Sequence, residues 1–327
     1  TSYTRSIKSN IYKVKDGSYN PETGEYDYQL LQTGDQFLSQ SGIGRNSDQT
    51  FYFDARLDWK RSFGDHNLTA MAMYMMREYR SDVLPNRNQG YSGRVTYDYA
   101  SKYLVEFNFG YNGSERLAAG QRFEFFPAVS AGWVASSEKF WEPISKYINH
   151  FKIRGSYGLV GSDAFASGAP HFLYQNNIGI GSAHKFWTGL PTSEISKQGP
   201  GFYVLAVQDA GWEHVKKFDI GFDMMLFNQL NITFDYFHDK RERILMSRAS
   251  WPSMLGYWGS KPWSNIGEVE NQGFELSLNW TKQFGKDLTL DLRGNFTYNQ
   301  NEYKYVDEPS YPYVWQTNTG KIGRASC

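Results

Sequence analysis

The chain of 327 residues is long enough for one large β domain or for two or three ordinary domains. Its 34 basic and 34 acidic residues balance, which leaves no electrostatic field that would attract nucleic acid. Aromatic residues make up 17% of the chain, yet a mean hydropathy of −0.60 and the lack of any apolar run of about 18 residues exclude helical membrane spans.

Alternation of apolar and polar side chains with a period of two dominates the chain and predicts β-strands. It is visible at 53–60 (FDARLDWK), is clearest at 91–99 (YSGRVTYDY) and resumes at 103–112. The last two stretches flank a turn and predict an antiparallel hairpin. The same period returns at 127–133, 151–157, 274–280 and 288–299.

About ten such strands are expected, each of roughly 9 to 12 residues, where soluble strands commonly have about 5 to 6 and membrane-spanning strands need about 9 to 11. The connections between them alternate in length along the chain, as an up-and-down barrel requires. Tight turns are predicted at 61–66, 100–102, 227–229 and 282–286, with a medium connection at 137–149 on the same side. Long, irregular loops are predicted at about 80–90, 113–124, 160–214 and 240–270.

Aromatic side chains occur at both ends of the predicted apolar face, which is typical of the two interfacial girdles of a membrane barrel. Those near the tight turns are Trp59, Tyr99, Tyr103, Trp133 and Trp280, and those toward the loops are Tyr91, Tyr111, Tyr157 and Tyr298. Trp133, in the stretch FFPAVSAGWV, is expected to point outward at the membrane interface rather than into a water-soluble core.

The pattern therefore predicts an all-β fold, an antiparallel up-and-down transmembrane β-barrel segment. It would have ten to twelve long strands, short periplasmic turns and long extracellular loops, and it would be incomplete. The alternative is a soluble β-sandwich that binds glycan or acts as an adhesin, because sandwich strands also alternate. The strict alternation of loop lengths and the aromatics at both ends favour the barrel.

Several segments resemble SusC/RagA-type TonB-dependent outer-membrane transporters of Bacteroidetes. The most specific is NIGEVENQGFELSLNW at 265–280, and four others agree with the family in order: 93–116, 122–141, 151–163 and 292–305. The resemblance covers most of residues 90–305. It identifies residues 1–323 as part of a TonB-dependent receptor barrel domain, whereas 324–327 depart from the family pattern and are expected to be a non-native or truncated tail.

The resemblance implies a plugged barrel of about 22 strands in the cell outer membrane. Such a receptor imports oligosaccharides or peptides when TonB transmits force, together with a SusD-like lipoprotein. The plug and the N-terminal carboxypeptidase-like domain are not found in this sequence. Because a partial barrel would leave unpaired strand edges in lipid, we expect that this chain does not transport alone.

Two groups of residues are candidates for function. Charged side chains on the polar face are expected to line the lumen, with a hydrated structural lining as the alternative role: Arg56, Arg94, Glu106, Arg154, Asp223 and Arg293. Loop aromatics are expected to contact substrate or the lipoprotein, unless they pack inside their loops: Trp187, Trp251, Tyr257, Trp258 and Trp263.

Catalytic and metal-binding motifs are absent from the sequence. The six histidines show no HxH or HxxxH spacing, and the single cysteine is Cys327. The oxygen-rich run 16–27 lacks the ligand spacing of an EF-hand. No phosphate-binding glycine loop or GxSxG elbow occurs. We therefore predict no enzymatic activity, no cofactor and no metal site.

Overall fold

The computed structural model describes the chain except at residues 1, 7, 35, 37–38, 45–46, 82–84, 164, 166–168, 189–194, 253, 255–260 and 323–327. The chain divides into two compact units, Thr1–Thr50 with Tyr79–Pro85, and Phe51–Glu78 with Asn86–Cys327. The first unit contains two small antiparallel pairs. Their strands are β1 (Ser2–Ser6), β2 (Ile11–Val14), β3 (Tyr28–Gln32) and β4 (Ser39–Gly44), with β1 paired to β4 and β2 to β3.

The principal element is a ten-stranded antiparallel sheet whose strands follow each other in chain order. The strands from β5 onward are β5 (Gln49–Phe63), β6 (His66–Arg80), β7 (Asn86–Tyr99), β8 (Tyr103–Ser114), β9 (Phe123–Val134), β10 (Ile148–Ser162), β11 (Asn177–Thr188), β12 (Ile195–Val204), β13 (Glu213–Leu226), β14 (Leu230–Ser247), β15 (Trp263–Phe284) and β16 (Leu288–Tyr305). Strands β11 and β12 pair only with each other, as a hairpin inserted between β10 and β13. In the described part of the chain β5 and β16 are the two ends of the sheet, so the up-and-down sheet is open.

The two faces of this sheet differ as the alternation predicts. In β9, Phe125 and Val129 are each 47% exposed on the apolar face, whereas the neighbouring Phe126 is buried on the other face. A water-soluble sandwich would cover the apolar face with a second sheet. Here the apolar face keeps its large side chains exposed, which is the arrangement of a wall that contacts lipid.

Short turns lie at one end of the sheet, which we call the turn end; the opposite end is the loop end. Ala100 and Ser101 have φ of 51° and 55°, and Phe227 and Asn228 have φ of 54° and 55°. Two consecutive residues at positive φ define type I′ turns, whose twist matches that of the flanking strands. The predicted tight turns at 100–102 and 227–229 are thereby confirmed.

The strands are longer than predicted and the loops correspondingly shorter. The sheet strands have 12 to 22 residues, and the connections at the loop end are 81–85, 115–122, 163–212 and 248–262. The predicted loop boundaries at 80–90 and 240–270 were wrong, because strands continue past the apolar band. Beyond that band both faces are polar or packed, and the two-residue period disappears from the sequence.

Two small hydrophobic clusters lie at the loop end, where segment 163–212 packs on the sheet. One contains Leu117, Phe126 and Trp212; the other contains Leu173, Ala210 and Leu245. Phe165 packs against both. In the described residues, no helix is both long enough and apolar enough to cross a membrane.

Candidate functional site

The centre of the polar face is an ionic cluster around Arg154 of β10. Its guanidinium lies 2.7 Å from Asp235 of β14, 3.3 Å from Asp223 and 3.6 Å from Asp219 of β13. Thr233 donates a hydrogen bond of 3.2 Å to Asp223. One cation thus joins three carboxylates on two other strands. The sequence prediction had placed Arg154 and Asp223 on this face, and the structure brings them together.

Gly221 makes this reach across β13 possible. In the strand register Arg154 is opposite Gly221, and Gly221 is opposite Asp235. A Cβ atom at residue 221 would collide with the Asp235 carboxylate. The absence of a side chain therefore lets Arg154 contact a residue two strands away.

A cavity of about 730 Å³ opens beside this cluster, toward the turn end. It is lined by strands β5 to β10 and β13, so the polar face curves around it. Lining residues include Lys60, Glu106, Lys152, Arg154 and Asp219. Its lining carries both signs of charge.

The remaining polar-face candidates form separate contacts. Arg56 pairs with Asp58 at 2.7 Å on the same strand, with both side chains more than half exposed. Arg94 donates to Asn108 at 3.0 Å, and Asn108 donates to Glu106 at 2.6 Å. Arg293 lines a second, smaller cavity of about 360 Å³. The predicted charged residues share one face but do not converge on one point.

Interstrand pairing brings several predicted girdle aromatics together on the apolar face. At the turn end Tyr103 pairs with both Tyr99 and Trp133 in the register, and at the loop end Tyr91 pairs with Tyr111. Eight of the nine predicted residues are at least 36% exposed. Trp280 is half-buried. The nine are Trp59, Tyr91, Tyr99, Tyr103, Tyr111, Trp133, Tyr157, Trp280 and Tyr298.

A ladder of phenylalanine rings crosses the same face between the girdle positions. Phe151, Phe222, Phe234, Phe274 and Phe296 come from β10, β13, β14, β15 and β16. Consecutive ring centroids lie 6.0, 5.6, 6.1 and 5.8 Å apart. Each strand's alternation predicts an outward ring, but the ladder depends on the register between strands.

A polar clamp closes the connection between β9 and β10 at the turn end. Tyr103 donates to Glu138 at 2.8 Å, and Lys102 lies 3.1 Å from the same carboxylate. Hydrogen bonds from Tyr103 and Lys102 hold the pKa of Glu138 below its ordinary value. Trp133 packs against Phe140 of this connection, with ring centroids 6.2 Å apart. The outward Trp133 is therefore covered on one side by the connection.

The predicted loop aromatics fall in different environments. Trp263 is the first residue of β15 and packs against the Leu173 cluster. It therefore follows the alternative in which these aromatic side chains are packed. Trp251 is half-buried. Trp187 lies in β11, where only the backbone is described, and Tyr257 and Trp258 lie outside the described residues.

Two exposed rings that sequence reasoning missed lie after β16. Tyr313 is 59% exposed, Trp315 is 71% exposed, and their rings stack with centroids 5.8 Å apart. The segment is held by Glu308, which accepts backbone N–H bonds from Asn318 and Thr319 at 2.8 and 2.9 Å. The aromatic run YPYVW at 311–315, which contains Pro312 and follows Pro309, was the available signal.

Buried charges hold the loop-end segments to each other. Asp307 accepts bonds from the Ser250 N–H and hydroxyl at 3.0 and 2.8 Å and pairs with Arg248 at 3.3 Å. Burial alone would raise the pKa of Asp307, but these partners outweigh it and lower the pKa. Arg116 lies over the Phe165 ring at 4.4 Å, and burial lowers its pKa.

Within the described part of the chain, no group of three or more His, Cys, Asp or Glu side chains could hold a metal ion. The carboxylates around Arg154 are engaged with its guanidinium.

A long-stranded, two-faced sheet with exposed aromatic rows defines the wall of a membrane β-barrel. The chain belongs to the TonB dependent receptor-like β-barrel family, whose model matches residues 2–323. Members of this family lie in the outer membrane, and this chain supplies part of an outer-membrane barrel wall.

The chain is similar to part of several longer receptors. It is 31% identical over 304 residues to TonB-dependent receptor P3 of Formosa agariphila, covering 81% of this chain and 29% of the relative. It is 24% identical to TonB-dependent receptor SusC of Bacteroides thetaiotaomicron, covering 92% of this chain and 27% of SusC. The chain thus spans less than a third of these relatives' length.

Solved structures share the fold. The RagAB peptide importer in its open-open state matches with a TM-score of 0.64 and 19% identity, over 79% of this chain and 30% of that chain. The outer membrane transporter YddB from Escherichia coli matches with a TM-score of 0.53 and 12% identity, over 83% and 36% of the two chains. The fold is therefore that of a TonB-dependent receptor barrel of SusC/RagA type.

Proposed function

We propose that the receptor containing this chain imports oligosaccharides or peptides across the outer membrane, driven by TonB and assisted by a SusD-like lipoprotein. The observation that carries the proposal is the two-faced wall, with a ladder of aromatic rings on one face and the Arg154 cluster beside a large cavity on the other. Membership of the TonB-dependent receptor family supports it.

In this proposal the polar face lines the lumen. The six charged residues predicted from sequence would form a hydrated wall, with Arg154 and Asp223 at its ionic centre. The loop end would lie outside the cell, where the exposed Tyr313 and Trp315 are available to contact the imported molecule. The receptor has a transport role, and we propose no catalytic one.

The soluble sandwich alternative is not favoured. A sandwich needs two packed sheets, whereas the ten long strands form a single sheet with its apolar rings exposed. In this proposal residues 1–323 belong to the barrel domain of a larger receptor. The tail at 324–327 lies outside the described residues, and its non-native origin stays a prediction.

Uptake by the full receptor tests the proposal. Cells expressing the receptor with its lipoprotein should take up a labelled oligosaccharide or peptide in a saturable way that stops when TonB is deleted. This chain alone, reconstituted in liposomes, should give no saturable uptake, because its open edges leave backbone groups unpaired. TonB-independent uptake by the full receptor, or transport by the isolated chain, would contradict the proposal.

A further inference from the structure

Asn265, the first residue of the 265–280 stretch, makes three hydrogen bonds to two distant segments. Its side-chain oxygen accepts the Gly211 N–H at 3.0 Å. Its side-chain nitrogen donates to the Gly211 carbonyl at 3.0 Å and to the Arg243 carbonyl at 2.8 Å. A single side-chain amide therefore joins β15 to β14 and to Gly211, which lies in the connection 205–212 between β12 and β13.

Strand β14 is irregular at this point. The pairing of β14 with β15 shifts between Arg241 and Leu245, and Arg243 has a φ of 56°, which is unusual for a residue with a side chain. The shift leaves the Leu245 N–H available, and buried Glu213 accepts it at 3.1 Å. Asn265 and Glu213 thus satisfy the backbone groups that the bulge withdraws from the ladder.

The anchor segment, residues 210–213, is buried along its whole length. Ala210, Trp212 and Glu213 are 3%, 5% and 6% exposed. Trp212 donates its indole N–H to the Arg122 carbonyl at 3.0 Å and packs against Phe126 at 5.4 Å. A Cβ at residue 211 would collide with the Arg243 guanidinium, so glycine permits this close approach.

Residues 205–209 connect the end of the hairpin β11–β12 to this anchor segment. Its base is held by the Val207 N–H bonded to the Leu173 carbonyl at 2.7 Å, and by the Gln208 amide bonded to the Tyr174 carbonyl at 2.9 Å. Leu173 and Ala210 belong to the same buried cluster. The residues at the two ends of the hairpin are therefore bonded to each other and fixed to the sheet.

We propose that Asn265 is a positioning residue for ligand capture: by fixing segment 210–213 to the bulge of β14, it sets the position of the hairpin β11–β12 at the loop end of the sheet. The role rests on the proposed import function. A hairpin that is already ordered loses less conformational freedom when a ligand or lipoprotein binds. Loosening the anchor weakens capture and leaves later transport steps unchanged.

Hydrogen exchange of the purified full receptor tests the anchor itself. Asn265→Ala should raise exchange at 205–212 by roughly 10- to 100-fold, as expected for the loss of two or three hydrogen bonds, while the sheet strands keep their protection. Asn295→Ala, which removes an amide from the polar face of β16, is the matched control and should change neither. Unchanged exchange at 205–212, or an equal loss of protection throughout the sheet, would overturn the proposal.

Uptake kinetics test the consequence. Asn265→Ala should raise the half-saturation concentration for the labelled substrate several-fold at an unchanged maximal rate; a fall in the maximal rate alone would contradict the positioning role. Should this variant fail to assemble, Trp212→Phe removes the indole N–H that binds the Arg122 carbonyl, together with part of the buried ring, and should give the same pattern more weakly. Absent uptake by the wild-type receptor would refute the import function, and the exchange result would still decide whether Asn265 anchors the loop.

Discussion

Arg154 and Asp235 lie on strands that are not neighbours, yet their charged groups approach to 2.7 Å across Gly221 of β13. The contact holds three strands in one register by side chains as well as by the backbone ladder. A one-residue slip of β13 would replace Gly221 by a residue with a side chain and would separate the pair.

Removal of this cation should destabilise the full receptor. Arg154→Met leaves three carboxylates without their partner on a partly buried surface, and we expect a loss of about 1–3 kcal/mol. Chemical unfolding of the purified receptor in detergent measures it. Arg56→Met is the control, because its exposed pair with Asp58 contributes roughly 0–1 kcal/mol. Equal effects of the two variants would show that the cluster has no special role.

Gly221→Ala tests the geometry without changing a charge. The added Cβ meets the Asp235 carboxylate and also the Phe234 backbone carbonyl, so the ion pair must lengthen and the pairing of β13 with β14 must shift. We expect a loss at least as large as for Arg154→Met, and a double variant less destabilised than the sum of the two, because both substitutions weaken the same ion pair. Additive losses in the double variant would show that Gly221 acts independently of Arg154.

The two faces should respond oppositely to a new charge. Phe296→Arg places a cation on the lipid face and should cost about 2–4 kcal/mol near the bilayer midplane. Thr297→Arg places it one residue later on the polar face, opposite Glu275, and should be tolerated. The fraction of receptor that migrates as a folded barrel in unheated gels measures both. A tolerated Phe296→Arg would contradict the assignment of the faces.

The Glu138 clamp should depend on pH. Because the pKa of Glu138 is lowered in the folded state, its contribution is present above the ordinary glutamate pKa and is lost as pH falls through the lowered value. Glu138→Gln should therefore lower the melting temperature at pH 7, and the difference from wild type should vanish in acid. A difference that is constant from neutral to strongly acid pH would exclude the ionised clamp.

Exposed and packed tryptophans of the loop end should behave differently. Trp315→Ala should weaken binding of the transported molecule by roughly tenfold with unchanged stability, since a large exposed ring is lost from the contact surface. Trp263→Ala should lower stability through lost packing in the Leu173 cluster. Calorimetric titration and thermal unfolding of each variant separate the two effects. Unchanged binding by Trp315→Ala would remove this ring from the site.

The sequence alone predicted about ten strands of the main sheet, the tight turns at 100–102 and 227–229, and the two faces of the stretches with clear alternation. That success has a local cause, because the two-residue period follows from the backbone of each strand and from a wall with lipid on one side. Trp133 was assigned outward from its own strand and lies on the apolar face, 36% exposed. The lumenal and substrate-contacting roles of the other candidates stay predictions.

Prediction failed where two distant segments meet. The loop boundaries, the packed environment of Trp263 and the aromatic pair after β16 depend on contacts that no local period encodes. Asn265 illustrates the reason: the sequence marks it as part of a family stretch, but its partners lie 22 and 54 residues away.

The sequence by itself determined a two-faced β wall, because alternation is a property of each strand. Only the tertiary structure decided that Arg154 reaches Asp235 across a glycine and that a bulged strand anchors the base of a hairpin. Both depend on the register between strands, which is set by interstrand hydrogen bonds and side-chain packing acting over the whole sheet.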